Sequence, residues 1–76
     1  MGKITGVFGQ VVLAEFKGKE KPIFGEICLG EKTVFMAYMS KKEDTFYLMI
    51  LKGERGVYRG MEVKSTGKRL RKRQDY

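Results

Sequence analysis

Apolar and polar residues alternate along this chain over short stretches, and no stretch longer than ten residues sustains the 3.6-residue period of a helix. Glycine punctuates the pattern at Gly6, Gly9, Gly18, Gly25, Gly30, Gly53, Gly56, Gly60 and Gly67. Between these points lie segments rich in Val, Ile, Phe, Tyr and Thr, whose branched and aromatic side chains pack well on a pleated surface. Five strands are predicted, over residues 3–16, 23–29, 33–40, 45–52 and 57–64. The first is expected to bend at Gly9, since a glycine inside a strand pattern marks a bulge or bend. A charged loop over residues 17–21 closes at Pro22, and turns are predicted at Gly30-Glu31, Lys41-Lys42-Glu43-Asp44 and Gly53-Glu54-Arg55-Gly56. Such short connections imply an antiparallel meander, which in so few residues buries itself best by curling into a barrel. The expected fold is therefore all-β: a small five-stranded antiparallel meander barrel, Src-homology-type or OB-like. With no segment for a helix after the third strand, the helix-free form is preferred. Ser65-Thr66-Gly67 is read as the end of the ordered part, which divides the chain into a barrel domain, 1–64, and a disordered basic tail, 65–76.

The third and fourth strands depart from clean alternation. Val34, Met36 and Tyr38 oppose Phe35, Ala37 and Met39, and Phe46, Leu48 and Ile50 oppose Tyr47, Met49 and Leu51, so both faces are apolar. A one-layer barrel needs only one of those faces inside. The surplus predicts a homo-oligomer, a dimer or larger, unless the first strand or the tail covers it.

Composition narrows the chemistry. Seventy-six residues make one domain. The single Cys28 excludes an internal disulfide framework and, with no histidine, leaves no ligand set for zinc. The longest apolar run, Phe46 to Leu51, is far short of the roughly 20 residues of a membrane helix, so no membrane partner is expected and a reducing, cytoplasmic location is. General acid–base catalysis wants a group that titrates near neutrality, and the carboxylates here sit mostly in turns or beside lysines. Cys28 falls in mid-strand with no basic partner, where cysteine behaves as a small core hydrophobe. No catalytic residue, metal or cofactor is expected, and the chain reads as a non-enzyme.

Charge is the feature that points to a partner. The net charge is +7, and its distribution is uneven. Lys68, Arg69, Arg71, Lys72 and Arg73 against Asp75 give +4 over residues 65–76, while eleven basic and eight acidic side chains give +3 over residues 1–64. A polyanion is the partner such asymmetry favours. In the body, Arg55, Tyr58 and Arg59 gather about the last turn, with Lys52 before it and Lys64 further along the last strand. Rings beside cations suit a single strand, whose bases stack while its phosphates pair. The candidate nucleic-acid-binding residues are thus Lys52, Arg55, Tyr58, Arg59, Lys64, Lys68, Arg69, Arg71, Lys72 and Arg73.

Nucleic acid, DNA or RNA, is the expected partner, contacted through the phosphate backbone with low sequence specificity. Gln10 and Gln74 are the only side-chain amides available to read adenine. The pattern resembles, at the level of fold alone, the small basic all-β nucleic-acid binders of phages and archaea. The competing expectation is a small protein–protein adaptor or inhibitor that covers an acidic surface, supported by the apolar surplus. A third is a subunit of a larger particle anchored to RNA by its tail.

Overall fold

The computed structural model describes residues 1–18 and 21–69. It is an all-β closed barrel of six strands: β1 Gly2–Phe8, β2 Val11–Glu15, β3 Glu26–Leu29, β4 Val34–Ser40, β5 Thr45–Lys52 and β6 Glu62–Arg69. Every pairing is antiparallel, in the order β1-β2-β5-β4-β3-β6 and back to β1.

The count is six where the sequence predicted five, because Gly9 turns the chain rather than bending it. Its φ of 66° lies in the left-handed region that glycine adopts without steric cost, and Gly9-Gln10 reverse the path so that Phe8 lies opposite Val11. The predicted first strand is therefore a hairpin. The predicted meander holds for β3–β4–β5, joined by the Gly30–Thr33 turn (Gly30 N–H to Thr33 C=O, 2.8 Å) and the turn from Lys41 to Thr45 (Lys41 N–H to Thr45 C=O, 2.7 Å). Closure is non-local: β2 pairs with β5, and β6 lies between β3 and β1.

Two boundaries move. The strand predicted from residue 23 begins at Glu26, and Ile23 and Phe24 lie exposed ahead of it. The strand predicted over 57–64 runs instead from Glu62 to Arg69. Residues 57–61 form a connection whose turn is closed by Met61 N–H to Tyr58 C=O (3.2 Å) and tied to β1 by Gly60 N–H to Ile4 C=O (2.7 Å). Ser65, Thr66 and Gly67 thus belong to the barrel, and the predicted tail boundary at 64/65 falls inside β6. The remainder of the predicted tail, 70–76, lies outside the described residues.

Alternation fills the interior as the period of two requires. Ile4, Val12, Ala14, Cys28, Phe35, Ala37, Phe46, Leu48, Ile50 and Val63 point inward from the strands, joined by Phe16 and Met61 from the connections. Phe16 and Phe46 meet edge to face at 5.9 Å. The other apolar set of β4 and β5 lies on the outer surface, where Val34, Met36, Tyr38, Tyr47 and Met49 are half-buried by one another.

Candidate nucleic-acid interface

The β3–β6 seam is where the ladder is least regular. Glu26 lies opposite Arg69 and Cys28 opposite Ser65, so Thr66, Gly67 and Lys68 bulge out against the single residue Ile27. Three hydrogen bonds hold that bulge. Thr66 Oγ1 donates to the Ile27 carbonyl at 2.7 Å and accepts from the Lys68 N–H at 3.1 Å, while Gly67 N–H donates to Glu26 Oε2 at 2.9 Å. Gly67 has φ 78°, a conformation in which a side chain would be strained. Glu26 is only 5% exposed, and its second oxygen accepts the Ile23 N–H at 3.1 Å. A buried carboxylate thus pins both the entry to β3 and the bulge of β6.

Three surface depressions open around this seam, and Lys64 lines all of them. The first, of about 470 Å³, has an apolar floor of Ile27 and Leu29, the hydroxyls of Ser65 and Thr66, and two cations, Lys64 and Lys68. No carboxylate among the described residues lines it. The second, of about 590 Å³, joins Tyr58 with Lys3 and Lys64 but also contains Glu31 and Glu62. The third, of about 550 Å³, lies between Lys21, Glu26 and Lys64. There Lys21 is engaged by Asp44 at 3.1 Å. Of the three, the Lys64–Lys68 depression is the one that cations line and no described carboxylate does.

Each predicted contact residue can now be placed. Lys64 and Lys68 come together in the first depression, and Tyr58 and Lys64 in the second. Tyr58 is 55% exposed, so its ring is at the surface and not at the rim of the core. Arg55 sits in the 3₁₀ turn Glu54–Gly56 and Arg59 in the turn before Met61; both are exposed, and neither lines any of these three depressions. Lys52 ends β5 opposite Val34, on the far side of β4 from the seam. Arg69 closes β6 opposite Glu26. Arg71, Lys72 and Arg73 lie outside the described residues. The sequence reading missed Lys3, Ile27 and Leu29, because only the long-range β3–β6 and β1–β6 pairings make them neighbours of Lys64, and it missed Ser65 and Thr66 because it took them for the end of the ordered part.

Cys28 is fully buried, and burial, with the nearby Glu26 charge, pushes its thiol up to about 12. A protonated, enclosed thiol is a poor nucleophile. Among the described residues no group of three or more cysteine or acidic side chains is placed to hold a metal ion, and no helix is long and apolar enough to cross a membrane. Compared with known proteins, the chain matches no family model and no curated protein.

Proposed function

We propose that this chain is a non-enzymatic nucleic-acid-binding protein of low sequence specificity, acting in the cytoplasm and holding the phosphate backbone along β6. The observation that carries the reading is the Lys64–Lys68 depression. It has two cations, two hydroxyls, an apolar floor and no carboxylate among the described residues, and it lies on the strand that ends at Arg69, which Arg71, Lys72 and Arg73 follow in sequence. The two lysines and the Ser65 hydroxyl can donate to phosphate oxygens, whereas the Thr66 proton is already committed to the Ile27 carbonyl, and contacts of this kind fix a backbone without reading its bases. Tyr58 and Lys3 extend the same surface around Lys64.

The test is a titration of single-stranded DNA, duplex DNA and RNA by electrophoretic mobility at two salt concentrations. Binding should weaken as salt rises, and Lys64→Gln/Lys68→Gln should weaken it on every nucleic acid that binds. Absence of binding to all three at low salt would sink the reading and favour an adaptor for an acidic protein surface.

A further inference from the structure

The outer face of β2–β5–β4–β3 is continuous and uncharged at its centre. By register Val11 lies opposite Met49, Met49 opposite Met36, and Met36 opposite Ile27, an apolar row that crosses four strands. At the usual strand spacing this row spans about 14 Å. Beside it the Tyr38 and Tyr47 rings lie 6.1 Å apart and tilted by 30°, both half-buried, and neither hydroxyl has a hydrogen-bond partner among the described residues. Ile27 belongs both to this row and to the floor of the Lys64–Lys68 depression, so the apolar face runs without a break into the cationic seam.

The border of the face is basic. Lys64 and Lys68 flank it on β6, Lys32 and Lys52 stand at one end, and Lys41 and Lys42 at the other. Against these six lysines are Glu15, Glu31, Glu43 and Glu62 among the described carboxylates, while Asp44 is engaged by Lys21. An apolar, aromatic centre inside a cationic border complements a ligand that is flat and apolar where it meets the centre and anionic where it meets the border. Unpaired bases joined by phosphates have that chemistry. A duplex does not, because its bases are stacked inside it. A second copy of this chain is less well matched, since stacking face to face would set one lysine border against another.

Resting on the nucleic-acid reading above, we propose that the ligand is single-stranded and that its bases lie on Tyr38, Tyr47, Met36 and Met49 while its phosphates follow Lys64 and Lys68. Base–aromatic stacking accounts for enough affinity that losing one stack costs about tenfold or more. The experiment measures affinity for a twelve-nucleotide oligothymidylate and for a duplex of the same length, alongside a melting curve for each variant. Tyr38→Leu/Tyr47→Leu keeps bulk and hydrophobicity and should lose about tenfold or more on the single strand with the duplex unchanged. Tyr38→Phe/Tyr47→Phe keeps the rings and should restore most of that loss. The chain has no tryptophan, so its emission comes from tyrosine, and saturating oligothymidylate should quench it in the unaltered protein. Absence of quenching would overturn the proposal whether or not the leucine variant folds. Equal affinity for single strand and duplex, indifferent to the leucine pair, would overturn it too while leaving the nucleic-acid reading intact. Failure of the unaltered protein to bind either ligand would remove both. A dimer by light scattering that Met49→Lys splits into monomers would assign the face to a second copy instead.

Discussion

At the residue scale, Glu26 and Cys28 show how burial changes what a side chain can do. Both point inward from β3, yet only Glu26 has polar partners, the N–H groups of Ile23 and Gly67. Glu26→Ala leaves those two donors to water at a partly buried site and should cost about 1–3 kcal/mol in a urea melt. Glu26→Gln keeps one acceptor oxygen and should cost about half as much. Gln equal to Ala would show that the charge, not the geometry, holds the bulge. For Cys28 the consequence is a pH dependence. An unfolded thiol ionises near 9.0, whereas the folded one keeps its proton to about 12. Between those values the folded state binds the extra proton, so the contribution is complete below pH 9 and is lost at about 1.4 kcal/mol per unit as pH rises. Stability measured from pH 8 to 11 should therefore fall more steeply in the unaltered protein than in Cys28→Ala, which starts lower because it leaves a void. Parallel curves would mean that the thiol does not set the alkaline limit. The same burial predicts that a thiol reagent modifies Cys28 only at the rate of unfolding.

At the scale of the element, β6 carries the barrel past the boundary that the sequence suggests. Its last residues are held by Gly67 N–H on Glu26, Thr66 Oγ1 on Ile27, and the pairing of Arg69 with Glu26. A chain ending after Thr66 loses the first and the last of these and should melt measurably lower. A chain ending after Arg69 keeps all three and should melt as the full protein does. Equal melting temperatures for the two truncations would return the boundary to the Ser65-Thr66-Gly67 segment. The sequence placed that boundary too early for a physical reason. Small polar residues and a glycine are ordinary turn signals, and only the buried carboxylate of Glu26, 41 positions away from Gly67, makes them strand. The hairpin at Gly9 was hidden similarly, since one glycine serves a bend or a reversal equally well until the partner strand is known. By contrast β4 and β5 are legible almost to the residue, because continuous runs of branched and aromatic residues and flanking turns are local properties. The candidate site divides along the same line. Lys64 and Lys68 are visible as charge in sequence, whereas Ile27 and Leu29 join them only through a pairing that no local pattern encodes.

At the scale of the molecule, the positive charge is shared between the folded barrel and the segment beyond it, and the two shares are separable. The fold places Lys64 and Lys68 in one depression that no described carboxylate lines, while Arg71, Lys72 and Arg73 follow β6 in sequence. If both groups neutralise phosphates, each contributes counterion release to the dependence of affinity on salt. Ending the chain after Arg69 removes three of these cations, and on duplex DNA the slope of log K against log salt should become shallower by about 2–3 units. Lys64→Gln/Lys68→Gln removes two, and the slope should fall by about 1–2 units. The combined variant should show the sum, because separate phosphate contacts release separate counterions. A slope that responds to the truncation but not to the lysine pair would place the contact beyond the barrel, with β6 serving only as its stem. A slope that responds to the lysine pair but not to the truncation would confine it to the barrel surface. Arg55→Ala/Arg59→Ala supplies the comparison in the connection before β6: with neither arginine lining the Lys64–Lys68 depression, that variant should change the slope by less than the lysine pair does, with its melting temperature nearly unchanged.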